Sequence, residues 1–380
     1  MKMAAPAAIF LIVMTRDERQ ARSMYLWSVV LRSALCLLLL CHGRIASAEI
    51  KPYALLWVES HSDAFPVHDL VWGMGRDFRT GEQHLGFGRA EVGVRYGNLS
   101  VGALYRYEVS ARSSRSASEL IWRSETGRAI PAGRRWPLRL DVNQVLMRGV
   151  ALGYTFFPAP NLTLTTRLQL LNATEMIDGQ VSGDIETYDD DYQGQAHLTY
   201  FYTRDSLWDR PTGRRRGQGA ALDLHAVWQI NPRHRLRLHL LDGLNGIYWR
   251  DMYYTTADLT SDRVAYDDDG QLNVRAAMTG YEGNRHHWQR LPVKAFLHWQ
   301  ATLAQRYTLG AELVWIDRYQ DVRLYYYPAR WPGLYVSATR HGSVGLGYRA
   351  GRLSTALQMD DTPHQARAVS LSFSWQTPGL

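Results

Sequence analysis

Apolar and polar residues alternate with a period of two along much of the chain. The clearest stretch is 293–317, where Val293, Ala295, Leu297, Trp299, Ala301 and Leu303 alternate with Lys294, Phe296, His298, Gln300 and Thr302. After a turn at 304–306, Leu309, Ala311, Leu313 and Trp315 alternate with Gly310, Glu312 and Val314. A period of two sends successive side chains to opposite faces of an extended strand. A strand of about 9–11 residues crosses a bilayer when tilted. Charges on its other face then need water, so the pattern predicts strands with lipid on one side and a lumen on the other.

The alternation recurs along the chain. A first strand is expected over Glu49–Glu59. Hairpins follow at 83–110 (turning at Gly97-Asn98), 145–170 (turning at 158–161), 221–240 (turning at 231–233), 293–317 and 344–359 (turning at Ala350-Gly351). Val369, Leu371, Phe373 and Trp375 form a closing strand with Ser370, Ser372 and Ser374 on its other face. The count is about twelve strands. Long polar insertions at 60–82, 110–144, 175–218, 243–292 and 320–342 all fall at one end. Strands hidden in them would raise the count to 14 or 16, and 196–203 is itself strand-like. No helical pattern competes. The predicted fold class is all-β, an antiparallel up-and-down barrel with short turns at one end and long loops at the other.

A soluble barrel or sandwich also alternates, with its apolar face turned inward. Three features favour the membrane version. The insertions sit at one end. The 22 Tyr and 13 Trp outnumber 9 Phe, as suits residues that anchor where apolar meets wet. The chain also opens with an export-type leader: Met24–Arg32 runs into the apolar stretch Leu35–Cys41, and Ala46-Ser47-Ala48 predicts cleavage before Glu49. The expected organisation is a signal peptide over 1–48, with Met24 as an alternative start, a barrel over 49–376 and a short tail over 377–380. Both cysteines, Cys36 and Cys41, lie in the leader. The leader also holds six Lys/Arg and two Asp/Glu, so its removal takes the formal charge from +7 to +3. That balance does not suit a polyanion binder, and no nucleic-acid motif is present.

In this pattern the chain resembles the bacterial outer-membrane β-barrel superfamily, porin-like in its rhythm of strand, short turn, strand and long loop. Members typically end in an alternating strand closed by an aromatic that the barrel-assembly machinery reads. Val369–Trp375 matches this, although Gln376–Leu380 follow the aromatic. The resemblance implies a Gram-negative cell outer membrane, with membrane lipid, lipopolysaccharide and the assembly machinery as partners. No motif narrows it to one family.

The candidate chemistry is the inward charge set: Arg89, Glu91, Arg95, Arg106, Glu108, Arg167, Asp223, His225, Arg235, Arg237, His239, Lys294, His298, Glu312 and Arg349. These residues line a pore if the lumen holds water, and form cross-strand ion pairs if it is filled. Basic residues predominate, which tilts a pore towards anionic solutes; the aromatic and Arg content also suits a polysaccharide. A non-conducting barrel whose loops bind a partner or lipopolysaccharide is the alternative, with Arg134-Arg135 and Arg214–Arg216 as phosphate contacts. The acidic runs at 189–191 and 267–269 offer oxygen ligands but lack calcium-loop spacing. His341 and Ser343 are spaced as in some outer-membrane lipid hydrolases, but Val344-Gly345 follows and no orienting acid is evident. The expectation is a transport protein rather than an enzyme, with no metal or cofactor.

Overall fold

The structure is a computed structural model that describes residues 50–189, 192–205, 211–261, 264–266, 272–274, 278–303 and 307–376. The leader, the tail and most of the acidic runs lie outside the described residues. In chain order the elements are β1 (Ile50–Ser62), α1 (Val67–Trp72), β2 (Gln83–Tyr96), β3 (Leu99–Ser113), α2 (Arg115–Glu125), β4 (Arg134–Ala159), β5 (Leu162–Thr187), β6 (Tyr192–Tyr202), β7 (Gly217–Asn231) and β8 (His234–Thr260). Then come β9 (Val264–Tyr266), β10 (Leu272–Val274), β11 (Met278–Gln289), β12 (Lys294–Leu303), β13 (Tyr307–Ile316) and β14 (Tyr319–Pro328). The last are β15 (Leu334–Thr339), β16 (Val344–Ala350), β17 (Leu353–Met359) and β18 (Ala368–Trp375).

The sheet is antiparallel and closes on itself where β1 pairs with β18, Leu56 opposite Phe373 and Val58 opposite Leu371. Its 16 strands make a 14-strand barrel because two places are shared end to end. Next to β5, β7 covers Leu162–Ala173 and β6 continues over Ile177–Thr187. Next to β8, β12 covers the part before Leu241 and β11 the part beyond Ile247. Closure leaves no sheet edge at barrel height, which satisfies the backbone hydrogen bonds without water.

The barrel therefore has fourteen strands rather than twelve. The additional pair is β14 and β15, inside the stretch 320–342 that reads as a loop. Three successive tyrosines, Tyr325–Tyr327, blur the contrast between faces there. Yet Leu324 and Tyr326 point outward, exposed, while Asp321 and Arg323 are buried. The other insertions are largely continuations of strands. β4 begins at Arg134, β5 runs to Thr187 and β8 to Thr260, and β6 covers the expected strand-like stretch.

Short turns join the strands at the opposite end. Gly97 and Gly351 both take φ +55° there, the left-handed conformation that a tight hairpin turn demands. The two helices were not legible in the alternation. Ser114 caps α2, its hydroxyl accepting from the Ala117 N–H at 3.2 Å. Ala117 and Leu120 of α2 pack on Trp136, Leu138, Val181 and Ile185, the apolar face of the tall sheet extension. Trp122 packs with Ala64 and Phe65 in the segment after β1.

The outer wall is apolar and uncovered. Leu99, Val101, Leu152, Leu168, Leu222, Leu313, Trp315, Leu346 and Leu357 are all exposed. This is the outward set that the alternation assigns.

Candidate functional site: the barrel lumen

The inward faces of the strands carry charge, and the structure divides that charge into two zones. The first lies between the wall of β2, β3 and β5 and the facing wall of β7, β8 and β12. Arg89 donates to Glu91 at 2.7 Å and to Asp223 at 2.8 Å. Arg167 also reaches Glu91, which accepts from the Tyr53 hydroxyl at 2.6 Å. Arg106 donates to both oxygens of Asp242, at 2.9 and 2.7 Å, and also reaches Glu108. Lys294 donates to Glu108 at 2.8 Å and to Asp242 at 2.7 Å. Gln169 joins the two halves by accepting from Arg106 and donating to Asp223. All of these side chains are buried.

Asp242 occupies a backbone position with φ +58°, where β8 breaks step with β7. Aspartate tolerates that conformation better than most residues. Its own N–H donates to Asp223 at 3.0 Å. Towards the long-loop end this zone is capped by apolar side chains, among them Met147, Ile247, Trp249 and Met252. This half of the lumen is thus packed, its charges paired across the barrel rather than spread along a water column.

The second zone is open. A cavity of ≈ 160 Å³ lies towards the short turns, bounded by β1, β8 and β12–β18. Arg237, His239, His298, Glu312, Arg323, Tyr325, Tyr327, Tyr335 and Arg349 face it, with serines of β17 and β18. Glu312 lies 3.7 Å from Arg323, 3.8 Å from His298, and accepts from the Tyr325 hydroxyl at 2.7 Å. Arg237 and Arg349 have no acidic partner among the described residues.

Above this chamber Arg323 grips Glu59 through two hydrogen bonds of 3.0 and 2.8 Å. Trp57 and Ser370 also donate to Glu59, each at 3.0 Å. Beyond the pair is a small cavity of ≈ 20 Å³ that leads to Asp321, Ser343 and Thr339. The two cavities share Glu59, Arg323, Gln358 and Ser370 in their walls.

The structure therefore brings Arg89, Glu91, Arg106, Glu108, Arg167, Asp223 and Lys294 into the paired zone, and Arg237, His239, His298, Glu312 and Arg349 to the chamber. Arg95 is half-buried near the short-turn end. Arg235 is exposed and donates to Gln229 at 2.8 Å. His225 is buried against the His239 ring, 4.8 Å between centroids. Sequence reasoning missed Tyr53, Glu59, Asp242 and Arg323. Glu59 and Asp242 sit at the ends of stretches read as strand, and Arg323 was hidden in the supposed loop.

His341 and Ser343 are turned to different neighbours. Ser343 is buried, and no hydrogen bond joins it to His341 among the described residues. The His341 ring stacks on Tyr319, 5.6 Å between centroids, and lies 3.9 Å from Asp321. Arg134 pairs with Glu119 and Arg135 with Asp184, so both cations of that pair are engaged within the chain. No group of three metal-ligating side chains occurs among the described residues.

No family model and no curated protein matches the chain. Among solved structures it is similar to outer-membrane barrels. A deletion mutant of the monoaromatic hydrocarbon channel TodX aligns over 87% of this chain and 91% of its own, at 10% identity and a TM-score of 0.42. The toluene transporter TbuX of Ralstonia pickettii aligns over 88% and 91%, at 9% identity and 0.41. A FadL homologue of Pseudomonas aeruginosa aligns over 86% of each chain, at 12% identity and 0.34.

Proposed function

We propose that the chain is an outer-membrane β-barrel channel for small solutes, shut in this conformation. Its membrane placement is supported by the uncovered apolar wall, since a soluble monomer rarely leaves so large an apolar surface in water. The observation that carries the channel reading is the pair of cavities in line along one side of the lumen, parted by the Glu59–Arg323 pair with Gln358 and Ser370 beside it. The packed half acts as a fixed strut, and the chamber half is the route. Unpaired Arg237 and Arg349 lean that route towards anions.

The density of the paired zone favours a second reading, a non-conducting barrel that serves as a stable mount for its loops. Single-channel recording in a planar bilayer separates the two. The channel reading expects brief openings from a closed baseline, with reversal potentials in a salt gradient displaced towards the anion. A silent membrane that contains folded protein, at every voltage tried, supports the second reading.

A further inference from the structure

We infer that the lower chamber binds a ring-bearing carboxylate, an aromatic or sugar acid, between Arg237, Arg349 and a wall of tyrosines. The inference rests on the barrel reading above, but not on conduction. Arg237 on β8 and Arg349 on β16 reach the same cavity from separate parts of the wall. The acids near them are already committed: Glu59 to Arg323, and Glu312 to Arg323 and Tyr325. Arg237, Arg323 and Arg349 thus face the chamber with only Glu59 and Glu312 as acids, which leaves it one positive charge in excess. A carboxylate between Arg237 and Arg349 would balance that excess and accept paired hydrogen bonds from either fork.

The rest of the wall specifies the body of the ligand. Tyr327 lies 5.2 Å from Tyr335 and 6.3 Å from Tyr325, ring centroid to centroid, so three tyrosine rings tilted against one another line one wall. Such a wall accepts the face or edge of a further ring. Ser372 and Ser374 add hydroxyls to the chamber wall. The volume of ≈ 160 Å³ is close to the ~150 Å³ of an engineered cavity that takes up one benzene, the bulk of a single six-membered ring.

The test is calorimetric titration of the detergent-solubilised barrel with benzoate and with glucuronate, with benzyl alcohol and glucose as neutral counterparts. The expected result is saturable binding of at least one acid and of neither neutral compound. Arg237→Gln and Arg349→Gln should each weaken it about tenfold or more, the size of one charge-assisted contact. Arg235→Gln, outside the chamber, should leave it unchanged. Binding of benzoate alone identifies an aromatic acid, and of glucuronate alone a sugar acid. Because Arg349 is exposed at the chamber mouth, its variant carries the test if Arg237→Gln fails to fold. Absence of saturable binding by both acids, or binding indifferent to both Arg substitutions, overturns the site. Either result leaves the channel reading to be judged on its currents.

Discussion

At the scale of single residues, Asp242 is the most constrained position in the lumen. Its carboxylate takes bonds from Arg106 and Lys294, and its backbone turns with positive φ to reach them. Removing one member of a buried ion cluster strands the others without counter-charge, at a cost of about 3–5 kcal/mol. Asp242→Asn keeps the shape and tolerates the same backbone conformation, so it isolates the charge. Urea unfolding of the variant in detergent should show a loss of that size. A change within experimental error would mean that water already screens the cluster. The inward direction of Arg106 and Lys294 was legible from parity alone, since each alternates with outward apolar residues. Their pairing was not. Partners such as Arg89 and Asp223 sit on strands far apart in the chain, and only barrel closure fixes which walls face each other.

At the scale of elements, alternation carried most of the information. It identified the outward faces of β2, β3, β12 and β13 as the structure has them, because one exposed apolar face and one polar face leave a period that survives any turn length. It failed for β14, where both faces carry tyrosine. It also failed for α2, whose single apolar stripe spans too few turns to stand out. The outward faces make a direct prediction. Leu346 is near the middle of the short strand β16 and is 57% exposed. If that wall meets hydrocarbon, Leu346→Arg should lower folding stability into lipid vesicles by about 2–4 kcal/mol, the cost of a cation at mid-bilayer. A loss no greater than that of Leu346→Ala would argue that this face does not meet acyl chains.

The helix at the long-loop end makes a different one. Burial alone would raise the pKa of Glu119, but hydrogen bonds from Arg123 and Arg134 outweigh it and hold the carboxyl below its ordinary value. A depressed carboxylate contributes stability that is fully present above its unfolded pKa and fades as pH falls through the folded one. The protection factors of the α2 amides, each taken against the intrinsic exchange rate at the same pH, should therefore be constant near neutral pH and fall as pH drops below about 4.3, the unperturbed value for glutamate. In Glu119→Gln that acid-dependent loss of protection should vanish; if it persists, another group tethers the helix.

For the molecule as a whole, the question is what separates the chamber from the opposite end. The packed half cannot move cheaply, because its charges are paired in several directions at once and any opening would expose them together. The Glu59–Arg323 pair is different. It joins β1 to β14 with a cavity on each side and serines rather than bulky side chains on β18 behind it, and its further contacts are few: Trp57 and Ser370 on Glu59, Glu312 and Asp321 near Arg323. Removing only one partner would leave the other buried and unpaired, which destabilises the barrel and obscures any effect on current. The double variant Glu59→Gln, Arg323→Gln removes the attraction and leaves neither member of the pair facing an unmatched partner, although Glu312 and Asp321, each 3.7 Å from Arg323, lose a neighbouring cation and some stability with it. If this pair is the partition, the double variant should still fold, as denaturant unfolding checks, and should spend far more time open in planar-bilayer recordings than the unaltered protein. If it folds normally and stays as silent as the parent, the lumen is closed by more than this contact, and the non-conducting reading gains the ground that the channel reading loses.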